Sequence, residues 1–189
     1  MIGSAGEIVL VRRSLLQPHP HIYSGGDCGA CSLGGALGIS VQAVYERFDS
    51  GGITNEGEMA RCLRCSVSSG LADRMIDTPT EWPDSRYLRS FGSPAQHEYV
   101  PWFNYVRMAI DAGYYGLAKV DYKGTGGPDT NHWVLICGAR SDGLARNPLT
   151  GQVLVSCSTQ GDNWYEARDF LTRKGGYDVR FVRPIKGDD

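Results

Sequence analysis

The sequence predicts an α+β domain, with N-terminal helices followed by an antiparallel β-sheet. Three observations carry that expectation. Stretches with helical periodicity crowd the first half of the chain. Strand-like runs crowd the second half. The connections between those runs are short, which suits antiparallel neighbours rather than the long crossovers of a doubly wound α/β fold. With 189 residues, 41% of them hydrophobic, residues 1–189 read as one domain with a real core.

The elements follow in order. Asp27 is placed to cap a helix from Cys28 toward Leu37, which Gly38 ends. Ser40 caps a second helix, VQAVYERF, and Gly51 and Gly52 mark a turn. In NEGEMARCLRC, Asn55 and Glu58 have the spacing of a capping box, and Met59, Cys62 and Leu63 share one face. Residues 66–99 are polar and turn-rich and give no clear periodic signal. YVPWFNYVRMAIDAG places Trp102, Tyr105, Val106 and Ala109 on one helical stripe, with Gly113 as the stop. YGLAKVDYK, HWVLICGAR and QVLVSCS then read as strands separated by GTGGPDTN, SDG and NPLTG. NWYEARDFLTRKG reads as a short amphipathic helix ending at Gly175, and YDVRFVRP as a closing strand.

Composition narrows the function classes. The formal charge is −2, from 19 basic and 21 acidic residues, with no basic patch. That argues against nucleic acid or an anionic membrane as partner. No apolar run approaches the ~20 residues that span a bilayer. The start, MIGSAGEIVLVRRSLLQPHPH, lacks the order of a signal peptide, so a cytoplasmic protein is expected. In that setting the six cysteines point to metal or catalysis rather than to disulfides.

The stretch SGGDCGACSLGGALG carries the chemistry. A thiol becomes a good nucleophile as the thiolate, and the first turn of a helix favours that negative charge. Cys28 has this place. A base is also needed, and histidine is the usual one. Of His19, His21, His97 and His132, only His132 opens an expected core strand, after a glycine-rich loop. A cysteine at a helix start facing a histidine at a strand start is the arrangement of thiol hydrolases.

DCGACSLGGALG resembles the cysteine motif of the papain-like superfamily, and most of all its double-glycine (C39-like) peptidase branch. NHWVLICGAR is similar to the superfamily's histidine strand, and GGITNEGEMARCLR to a helix that often follows the cysteine in that branch. The resemblance implies a papain-like fold and a cysteine peptidase or amidase working through a thioester acyl-enzyme. It implies a peptide or protein substrate and no metal or organic cofactor. Cys28 is the nucleophile in the branch pattern. Cys31 is the nucleophile if CGAC is aligned with the papain pattern Cys-Gly-x-Cys, although Ser32 stands where that pattern has an aromatic residue. Asn147, in NPLTG, matches the residue that orients the histidine. The other alignment, through QVLVSCS, puts Cys157 there, and a cysteine is expected to orient imidazole poorly. The family's oxyanion glutamine has no clean match. Gln17 looks too distant, leaving His21, Tyr23, Ser24 or the backbone N–H of the nucleophile.

Other readings stand beside this one. Cys28, Cys31, Cys62 and Cys65 form two CxxC pairs, the ligand set of a zinc-stabilised interaction module. The long separation of the pairs and the helical setting of the second count against it. A thioredoxin-like role for CGAC lacks its βαβ context. An inactive papain-like binding scaffold is the third alternative. Cys62, Cys137 and Cys157 are expected in the core, as are Trp102, Trp133 and Trp164, unless these line a cleft. His19, His21 and His97 are expected at the surface.

Overall fold

The computed structural model describes residues 8–11, 27–48, 52–76, 96–121, 131–141, 151–174 and 179–185. Its helices are α1 (Asp27–Leu37), α2 (Val41–Phe48), α3 (Glu56–Ser68), α4 (Gln96–Asp111) and α5 (Ala167–Lys174). Its strands are β1 (Ile8–Val11), β2 (Ala72–Ile76), β3 (Tyr115–Asp121), β4 (Asn131–Ser141), β5 (Gln152–Cys157), β6 (Gly161–Glu166) and β7 (Val179–Pro184). The architecture is α+β, and every strand pairing is antiparallel, in the order β2-β7-β3-β4-β5-β6.

The local rules account for the helices. Gly38, at φ +72°, stops α1. Ser40 Oγ accepts from the backbone of Ala43 and starts α2. Both halves of the Asn55–Glu58 capping box form at α3. Gly113, at φ +99°, follows α4.

β4 is the spine of the sheet. Its first half pairs with β3, its second half with β1 on the same edge, and β5 runs along the other edge. Its side chains alternate between two cores. Trp133, Leu135 and Cys137 pack with Leu33, Val44 and Leu63 of α1–α3. Val134 and Ile136 pack with Trp102 and Val106 of α4 and Phe170 of α5. The sheet is therefore covered on both faces, and the two ends of β4 are held by different neighbours.

Two expectations change. β1 precedes the helices and β2 lies between them, so the helices do not all come first. β2 buries only Ala72 fully, which explains why ADRMI shows no clean alternation. Residues 163–166 are strand rather than helix. They pair with β5 from Gln152↔Glu166 to Cys157↔Gly161, and Gly161, at φ +71°, closes the short hairpin turn. Cross-strand pairing outweighs the local helical pattern there. The helix itself begins only at Ala167.

Candidate functional site

The site forms where the first turn of α1 meets the start of β4. Gly29 makes the approach close: a Cβ on it would stand 2.2 Å from the carbonyl oxygen of Ile53. Asp27 is buried, and its carboxylate accepts a hydrogen bond from the Tyr45 hydroxyl of α2. These contacts set the start of α1 against its neighbours. Cys28, the second residue of the helix, is half-buried. The backbone N–H of Trp133 donates to its sulfur at 3.4 Å.

His132 precedes Trp133 in β4 and is buried. Its Nε2 lies 3.2 Å from Cys157 Sγ. Cys157 ends β5 on the face shared with Val155. The β4–β5 ladder pairs Leu135 with Ser156, so one further step sets Cys157 opposite Val134, diagonal to His132. The sulfur of Cys157 is also 3.2 Å from Thr159 Oγ1.

One imidazole thus interacts with two thiols. Burial alone would lower the His132 pKa, but hydrogen bonding with Cys157 and Cys28 raises it to about 9. Burial alone would raise both thiols. Hydrogen bonding with His132 and Thr159 instead brings Cys157 down to about 6. Cys28 is lowered as well, by hydrogen bonding with His132 and with the backbone of Trp133. The arrangement favours a thiolate beside an imidazolium.

Cys31 has a different setting. It is buried in the α1–α3 core, and burial, with Asp27 and Cys28 nearby, pushes its thiol up to about 11. His132 and Cys157 also wall a small, half-open pocket lined by Val120, Val134, Val155, Tyr165 and Phe170 with Gln160.

Of the residues singled out in the sequence, the fold brings Cys28 and His132 together and seals Cys31 beneath them. Asn147 lies outside the described residues, as do Gln17, His19, His21, Tyr23, Ser24 and the side chain of His97. Cys157 is buried as expected, but it is more than packing, because its sulfur meets the histidine. The alignment through QVLVSCS was the signal for it. Cys62 and Cys137 are core residues, and burial pushes the Cys137 thiol up to about 12. Trp102 and Trp133 are core too, whereas half-buried Trp164 carries the Arg140 guanidinium over its ring. The two CxxC pairs do not combine: among the described residues no three His, Cys, Asp or Glu side chains form a group able to hold a metal ion. Among the same residues no single helix is long and apolar enough to cross a membrane. No protein-family model matches the chain, and no curated protein matches it.

Proposed function

We propose that this protein is a papain-like thiol hydrolase, a cytoplasmic peptidase or amidase that cleaves a peptide or protein substrate through a thioester. The observation that supports it is the meeting of Cys28, in the first turn of α1, with His132, at the start of β4. The Cys28 thiolate adds to the substrate carbonyl carbon. The developing oxyanion is served by the Cys28 backbone N–H, one of the first-turn donors that a helix leaves unpaired. The imidazolium of His132 protonates the departing amine, which leaves a thioester on Cys28 and a neutral ring. His132 then takes a proton from water as the water adds to the thioester. The carboxylic product departs as the thiolate is expelled, and the thiolate–imidazolium pair is restored.

Site-resolved iodoacetamide labelling against pH tests the reading. Cys28 is expected to label fast well below its ordinary titration range. His132→Ala should slow that labelling by about tenfold or more at the same pH, as the thiolate fraction falls. A Cys28 that labels as slowly as an ordinary thiol, with or without His132, would identify an inactive binding scaffold instead. Substrate classes would then be screened by trapping the thioester.

A further inference from the structure

We propose that Cys157 is a positioning residue for His132: its sulfur accepts the Nε2 hydrogen of the ring and so leaves Nδ1 to face Cys28. This rests on the thiol-hydrolase reading above, and it assigns to a cysteine a task usually given to an amide or carboxylate.

Geometry carries the assignment. The 3.2 Å separation between Nε2 and Sγ is short for a contact to sulfur, as expected when donor or acceptor is charged. The sulfur is fixed from two sides. Its backbone ends β5 opposite Gly161 in the hairpin, and Thr159 Oγ1 approaches it at 3.2 Å from the turn. The hairpin is braced across its strands by the Ser156 hydroxyl, which donates to Asp162. A side chain on this scaffold has little freedom to turn away, so its partner ring has little freedom to rotate.

The surroundings strengthen the contact. Among the described residues, the groups facing the ring include Cys28 from α1, Cys157 from β5 and, across the pocket, Gln160 of the turn and Tyr165 of β6. Val120, Val134, Val155 and Phe170 supply the apolar remainder. A charged hydrogen bond is worth more in such a setting than in water. Cys157 also supplies a negative charge of its own, since its thiol lies near 6 while the ring lies near 9. The ring is therefore held at Nε2 and kept protonated by a second thiol besides Cys28. An asparagine would hold it without that charge.

The test uses the whole chain with Cys157→Ala, Cys157→Asn and His132→Ala, and reads the labelling of Cys28 against pH. In Cys157→Ala the titration midpoint of Cys28 is expected to move up toward the ordinary thiol value, with labelling below it slowed about tenfold per unit moved. Cys157→Asn, whose amide oxygen takes the same N–H, is expected to return most of that rate. A purely structural role predicts no such rescue. Cys28 labelling as fast in Cys157→Ala as in wild type, or an Asn variant no better than Ala when both are folded, would overturn the assignment. If His132→Ala alone slows Cys28, only the positioning role falls. If His132→Ala changes nothing, the thiol–imidazole pair falls with it. Should Cys157→Ala fail to fold, the ring nitrogen shifts of wild-type His132 decide. An Nε2 that bears a proton and follows the Cys157 titration supports the proposal. An Nε2 without the proton overturns it.

Discussion

Cys28 and Cys31 lie three residues apart on the same helix, yet their sulfurs meet opposite environments. Cys28 receives the Trp133 N–H and hydrogen bonding from His132, which outweigh its burial. Cys31 turns into the core, where burial and the nearby Asp27 both favour the neutral thiol. On the proposed function the difference favours Cys28 as the attacking group, since only the thiolate is a competent nucleophile. Cys31→Ala should therefore leave the labelling of Cys28 in place while lowering stability by about 1 kcal/mol for the lost core volume. Urea unfolding and site-resolved labelling of the same sample would check both halves. Loss of Cys28 reactivity in a folded Cys31→Ala chain would return the nucleophile to the second cysteine.

At the scale of elements, the site depends on how α1 is seated. Gly29 has no room for a side chain, because the backbone and Cβ of Ile53 stand within 2.7 Å of where its Cβ would be. Backbone cannot swing aside as the end of a long side chain can. Gly29→Ala is expected to destabilise the protein by about 1–3 kcal/mol and to slow Cys28 labelling, because relief of the clash moves the first turn away from Trp133. A melting temperature and labelling rate equal to wild type would show that α1 can shift without cost. Gly70 makes a useful control, since a Cβ there meets nothing within 4 Å and the cost comes from its φ of +75° alone. The β5–β6 hairpin is the second seat of the site, because it presents Cys157 and Thr159 from a turn of fixed shape.

For the whole molecule, the thiol–imidazole arrangement has a signature in stability against pH. His132 is raised from 6.5 to about 9 on folding, so its contribution is complete below 6.5 and is lost as pH rises through about 9. Cys157 is lowered from 9.0 to about 6, so its contribution is complete above 9.0 and is lost as pH falls through about 6. Between about 6.5 and 9 the two slopes oppose each other. The proton that leaves the thiol stays on the ring, and unfolding then exchanges almost none with solvent. Unfolding midpoints in urea should therefore change little from this pair across that window. Thiolate absorbance in the ultraviolet should still rise as the pH passes about 6. Cys28, lowered as well, adds a rise of its own, so a steep slope in a Cys28→Ser chain, or no thiolate signal there before the ordinary thiol range, would show that the pair does not share its proton as described.

The sequence by itself determined the α+β class, the caps of α2 and α3, the glycine stops of α1 and α4, the apolar stripe of α4 and the central strand that carries His132, whereas Asp27 is the first residue of α1 rather than the cap before it. These are local matters. Capping boxes, positive-φ glycines and alternation along a strand act over a few residues and can be read from them. It also singled out His132 and the Cys28/Cys31 pair as candidates for chemistry. Only the tertiary structure decided that Cys28 meets His132, that Cys31 is sealed in the core and that β6 is strand. It alone put the sulfur of Cys157 on Nε2, a contact that joins β4 to β5 across the sheet. Such contacts depend on strand register and on the seating of α1 against Ile53. They are set by pairing and packing between segments far apart in the chain, where local pattern carries little information.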